Sequence, residues 1–165
     1  MRQLKFQELS LEGFKKYGSY SNMVNLTAEK LSPGLVEFYR DMEQVALAPG
    51  SVPSFSVTRS QKRPLLIEKF EFHDHSGEGL LPLDADVLIH VAPAGRSKDV
   101  PYDKIEVFRI PKGTFVCLRP GVWHQAPFVY QSEVVNTLVV LPERAYENDC
   151  KVVLFSDENK IEIIV

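Results

Sequence analysis

From residue 54 onward, apolar and polar positions alternate in short runs separated by glycine and proline. Phe55 and Val57 alternate with polar neighbours up to Arg59, and the stretch 65–73 alternates clearly over its second half. Further apolar runs predict strands over 86–92, 105–110, 114–118, 134–141, 152–155 and 161–165. Gly79, Pro82, Pro93, Gly95, Pro101, Pro111-Lys112-Gly113 and Pro120-Gly121 fall between these runs and read as turns. Ahead of them, Ser10 caps a short helical turn through Phe14 and Tyr17 that Gly18 stops. Pro33-Gly34 marks a turn, the stretch 34–39 is compatible with strand or helix, and 48–53 is a loop. Many short strands with Gly/Pro turns define an all-β chain, an antiparallel sandwich or barrel with short N-terminal helical elements.

Composition narrows the class without changing the fold. At 165 residues the chain is long enough for one domain, read as 1–165, with a full hydrophobic core. A net charge of −3 with scattered Lys and Arg leaves no nucleic-acid footprint. No apolar run approaches the roughly 20 residues that span a bilayer. The opening Met1-Arg2-Gln3-Leu4-Lys5-Phe6 lacks the apolar core of a signal peptide. Cys117 and Cys150 form neither a zinc spacing nor a disulfide framework, and free thiols in a reducing cytosol are expected.

The candidate chemistry sits in two runs about fifty residues apart, Glu71-Phe72-His73-Asp74-His75-Ser76-Gly77-Glu78 and Pro120-Gly121-Val122-Trp123-His124. Imidazoles and a carboxylate brought together in this way hold a divalent metal, or serve as acid, base and anchor for a polar substrate. Strand periodicity places Lys69, Glu71, His73 and, if the strand continues, His75 on one face, with Phe70 and Phe72 on the other. That polar face is either solvated or, in a barrel, the lining of a cavity. The candidate metal ligands are His73, His75, Glu78 and His124. Lys69 and Glu71 are candidates for proton transfer beside His73 and His124. Arg59 is the candidate anchor for a substrate carboxylate. His90, between Ile89 and Val91, reads as a packed strand histidine, and Trp123 as a packing residue.

Gly113 followed by Pro120-Gly121 and His124 resembles the second motif of a cupin, and the His-x-His-x-x-Glu run resembles the first. Over nearly the whole length, the chain resembles the ureidoglycolate lyase family of cupins. The likeness is carried by Leu9-Ser10-Leu11-Glu12-Gly13-Phe14 with Tyr17-Gly18, by the stretch 34–41, and by Ser56-Val57-Thr58-Arg59-Ser60-Gln61. It continues in Glu71-Phe72-His73 with Leu81-Pro82-Leu83, and in Val122-Trp123-His124. The resemblance implies a cupin-type antiparallel β-barrel, a double-stranded β-helix, that cleaves ureidoglycolate to glyoxylate and urea in allantoin degradation. It also implies a cytoplasmic homodimer, a small carboxylate substrate and a divalent metal (nickel, manganese, zinc or iron). Arg119 and Gln125 stand where the family tends to carry histidines and are the corresponding substrate-binding candidates. Glu78 aligns with a family glutamine, and His75 is additional. A metal-dependent isomerase or oxygenase, or a non-catalytic binding cupin, remain the alternatives.

Overall fold

The computed structural model describes residues 1–31, 34–95 and 99–165. The strands in chain order are β1 (Arg2–Glu8), β2 (Gly18–Asn22), β3 (Pro53–Gln61), β4 (Leu66–Ile67), β5 (Lys69–Phe72) and β6 (Glu78–Pro82). They continue as β7 (Val87–Val91), β8 (Glu106–Ile110), β9 (Thr114–Leu118), β10 (Val134–Pro142), β11 (Lys151–Leu154) and β12 (Ile161–Ile164). Two single-turn helices interrupt them, α1 (Leu11–Phe14) and α2 (Ala145–Asn148). Ser10 caps α1 by accepting from the Gly13 amide at 3.1 Å, as its position before Glu12 predicts. Pro33 of the predicted turn lies outside the described residues.

One five-stranded sheet runs β4-β12-β1-β8-β7 and the other β2-β9-β6-β10-β3, with β5 and β11 forming a separate pair. The first sheet does not stop at β7. Leu88 exchanges backbone hydrogen bonds with Phe128, Ala92 with Trp123, and Glu71 with His124. The segment 123–128 therefore stitches β7 to β5, and the sheet curls toward the second one as in a nearly closed barrel. The all-β, barrel-type architecture expected from the turn spacing is the one observed.

Three strands have no counterpart in the predicted set. In β1 only Leu4 and Phe6 are apolar, among exposed polar residues. β2, Gly-Ser-Tyr-Ser-Asn, is too polar to register as a strand. β6, Glu-Gly-Leu-Leu-Pro, contains the glycine and proline that read as turns. Yet Leu80, Leu81 and Pro82 stay in register with β10, and a Cβ on Gly79 would stand 2.6 Å from the Phe115 ring. Here glycine is required by close packing within a strand, not by a turn.

Burial sorts by strand parity. Val87, Ile89, Val91, Phe108 and Ile110 face the second sheet and pack with Leu80, Val116 and Val139. Leu88 and Val107, on the opposite face, join a second apolar cluster with Phe70, Phe72, Trp123 and Phe155. Burial on both faces explains why β7 reads as a continuous apolar run. Phe72 and Trp123 pack with tilted rings 4.3 Å apart between centroids, so the aromatic side of β5 is anchored.

His90 belongs to this second cluster, with its ring 4.9 Å from that of Phe70 and 5.4 Å from that of Phe128. Its Nε2–H donates to the Lys69 carbonyl at 3.2 Å, while Nδ1 has no hydrogen-bond partner among the described residues. Burial pushes the imidazole down to about 3, against the opposing pull of the Lys69 carbonyl. A folded value below the ordinary 6.5 means that only the unfolded chain takes up this proton between those two values. Stability from neutral His90 is complete above about pH 6.5 and is lost as pH falls toward 3. Between pH 6.5 and 3 the His90→Phe protein is expected to lose roughly 3–5 kcal/mol less stability than the unaltered chain. Urea denaturation across that range measures the difference, and equal losses would remove His90 from the account.

Candidate active site

The curled sheet brings β5 and the segment 122–128 against β6, and a cavity of about 210 Å³ opens between them and β3. Glu71 and His73 project into it from the first motif, Glu78 from the start of β6, and Cys150 from the C-terminal segment. Antiparallel pairing of Glu71 with His124 puts their side chains on the same side, so His124 joins them while Trp123 packs outward. The backbone supports this arrangement at two glycines. A Cβ on Gly77 would stand 2.3 Å from the Leu118 carbonyl oxygen, and Gly121 has φ +78°, in the left-handed region.

Glu78, His73 and His124 are all buried, and a single Glu78 oxygen, Oε2, meets both imidazoles. It lies 3.1 Å from His73 Nε2 and 2.7 Å from His124 Nε2. The other ring nitrogens are already occupied. His124 Nδ1 donates to the Val122 carbonyl at 2.8 Å, and His73 Nδ1 donates to the Asp149 carbonyl. With Nδ1 protonated on each ring, a neutral imidazole presents Nε2 as a lone pair. Two lone pairs and a carboxylate oxygen therefore converge on one point and repel unless something positive lies among them. Two extra protons or one metal cation would meet that need. Outer hydrogen bonds of this type, Nδ1–H to a backbone carbonyl, are what orient histidines as metal ligands. One ligand atom from each of the three residues lies within 4.8 Å of the others. The donor set fits a divalent transition metal.

The electrostatics run the same way. Burial alone would push the Glu78 carboxyl up, but His124 and His73 outweigh it and hold it well below the usual carboxylate range. Burial alone would push His124 down, but Glu78, with Glu71 adding to it, holds its imidazole well above the usual value. Cys150 Sγ stands 3.6 Å from Glu71 Oε2, and burial together with that carboxylate pushes the thiol up to about 11. Cys150 thus remains a hydrogen-bond donor to Glu71 near neutral pH.

The remaining candidates are not brought together with this group. β5 ends at Phe72, so strand parity does not extend to His75. Its side chain is 75% exposed and turns to Asp149, 3.1 Å from Nδ1 to Oδ1. The same carboxylate accepts from the Asp74 and His75 amides at 2.8 and 3.0 Å, which pins the turn with His75 outside. Lys69 shares the parity of Glu71 but is exposed at the far end of β5, beside the His90 crevice. Arg59 is on the outer face of β3, exposed, with its guanidinium 3.4 Å from Asn136 Oδ1. Arg119 is exposed in the turn after β9, and its amide donates to the Tyr17 carbonyl. Gln125 follows His124 and so faces away from it. It is buried beside His90, Arg63 and Phe128.

Sequence reasoning missed Cys150 and the inward hydroxyls of Ser54, Ser56 and Thr58. Only the alternation of β3 carries a signal for them, as the polar partners of Phe55 and Val57. Both cysteines are free, Cys117 buried and Cys150 at the cavity.

Strands curled around a buried His–Glu–His group form a barrel-type site with the donor set of a metal centre. The family model for ureidoglycolate lyase matches residues 1–162, and the chain belongs to that family, whose members are lyases. It is 26% identical over 151 residues to the ureidoglycolate lyase of Escherichia coli (strain K12 / DH10B), covering 90% of this chain and 92% of that one. The ureidoglycolate lyase of Shigella boydii serotype 18 gives the same figures. Among solved structures, a mutant oxalate decarboxylase of Bacillus subtilis superposes with a TM-score of 0.42 and 10% identity, covering 63% of this chain and 24% of that one. No helix among the described residues is long and apolar enough to cross a membrane.

Proposed function

We propose that the protein cleaves ureidoglycolate to glyoxylate and urea, with His73, Glu78 and His124 holding a divalent metal. The observation that carries the metal is the convergence of two Nε2 lone pairs on one Glu78 oxygen. Family membership supports this substrate, and a cavity smaller than the ~300–1,000 Å³ of drug-sized pockets is compatible with so small a molecule. The bound ion would supply a Lewis acid toward the substrate's hydroxyl and carboxylate oxygens.

Glu71 performs the proton transfers. Its carboxylate takes the hydroxyl proton as the carbon–oxygen double bond forms. The carbon–nitrogen bond breaks in that same step, with its electron pair leaving on nitrogen. Glu71 returns the same proton to that nitrogen, which completes urea and leaves glyoxylate. The Cys150 thiol holds one oxygen of Glu71 so that the other is presented to substrate. Glyoxylate release by protein loaded in turn with nickel, manganese, zinc or iron(II) is the direct assay. Absence of product with all four would overturn the reaction.

The native unit in this reading is a cytoplasmic homodimer. β3 is an edge strand whose outer face exposes Phe55 at 69% and Val57 at 58%. The segment carrying Leu35, Val36 and Phe38 is exposed as well. An uncovered apolar edge invites strand pairing or aggregation, and a second copy removes that liability. Equilibrium sedimentation is expected to give twice 18.7 kDa. A monomer at micromolar concentration would refute the dimer.

A further inference from the structure

We propose that the inward hydroxyls of β3, Ser54, Ser56 and Thr58, read the uncharged urea head of the substrate and so set its orientation and the specificity of the site. This rests on the ureidoglycolate reading above and deepens it.

Charge fixes the direction in which such a substrate lies. The lining includes two carboxylates, Glu71 and Glu78, and no lysine or arginine among the described residues. A substrate carboxylate placed against β3 would find no cation there. Its favourable end is the group formed by His73, Glu78 and His124, where a metal or imidazolium supplies positive charge. The other end of the molecule then lies along β3. Residues two apart on a strand point the same way about 6–7 Å apart. Ser54, Ser56 and Thr58 consequently form one row, opposite Val139 and Leu141 in the register with β10.

A urea head carries one carbonyl acceptor and several N–H donors, and has no net charge. A hydroxyl both donates and accepts, so a hydroxyl row matches that mixture where a lysine or a carboxylate matches only half. Among the described residues none of the three hydroxyls is engaged by another side chain, so all are available to a ligand. Val139, Leu141 and Pro142 stand beside them in the lining; Ser54 and Thr58 are half-buried and Ser56 is exposed.

The test uses two unreactive probes on metal-loaded protein, measured by calorimetry. Ureidoacetate carries both the carboxylate and the urea head; glycolate fills the histidine end alone. Ser56→Ala and Thr58→Val are each expected to weaken ureidoacetate about tenfold, the scale of one lost hydrogen bond, and to leave glycolate unchanged. Unchanged glycolate binding also shows that the variant is folded. Undiminished ureidoacetate binding in both variants, or equal weakening of both probes, overturns the proposal while leaving the lyase reading intact. Failure of the unaltered protein to bind either probe overturns the lyase reading and this inference with it.

Discussion

Purified without added metal, the His124→Ala protein will carry little or no transition metal, whereas the unaltered chain will carry close to one ion per chain. The expectation follows from how few ligands there are. Three side chains converge, and His124 contributes the nitrogen closest to the shared Glu78 oxygen, at 2.7 Å. Losing one ligand removes a direct bond and leaves the buried Glu78 carboxylate with only His73 beside it. Breaking a buried charge pair by deleting one partner destabilises by about 3–5 kcal/mol, so the variant should also unfold at lower denaturant concentration. His75→Ala is the control, because that side chain is exposed and held by Asp149. Elemental analysis of the three proteins decides the matter. Equal metal content in all three would show that the His73–Glu78–His124 group is not a metal site, and a loss in His75→Ala alone would move the site to the turn.

The second large effect is expected at Glu71. Glu71→Gln keeps the shape of the side chain and its place beside Cys150 while removing the basic oxygen. A positioned acid–base group contributes typically 10²–10⁴-fold, so kcat for glyoxylate release should fall by about that factor. Metal content should not change, because Glu71 is outside the converging group. This pairing of outcomes separates proton transfer from metal binding. Full activity in Glu71→Gln would assign the proton to another group, and loss of metal would place Glu71 among the ligands.

The two motifs and the barrel were legible in the sequence because their signals are local. Alternation through Lys69, Phe70, Glu71, Phe72 and His73 gave both the strand and its two faces, and the Pro-Gly turn placed His124. What was not legible depends on chain segments far apart. His75 looks like a ligand by spacing, but Asp149, over seventy residues later, takes its side chain and amide. Arg59 looks like a substrate anchor by chemistry, yet β3 turns its hydroxyl positions inward and its large residues outward, the reverse of the usual sorting. Cys150 has no local pattern at all and reaches Glu71 through the pairing of β11 with β5. β6 is hidden by Gly79 and Pro82, residues typical of turns, which packing against Phe115 and pairing with β10 accommodate within a strand.

Asp149 touches the first motif four times, through its carbonyl to His73 and its carboxylate to the amides of Asp74 and His75 and to the His75 ring. All three converging ligands are present in a nascent chain once residue 124 has been made, but the acceptor that turns His73 toward Glu78 comes 25 residues later, counting from His124 to Asp149. Under the proposed function, metal capture is therefore timed to the end of synthesis. A growing chain would not hold an ion in the finished geometry before strand β11, which places Asp149, is available to dock.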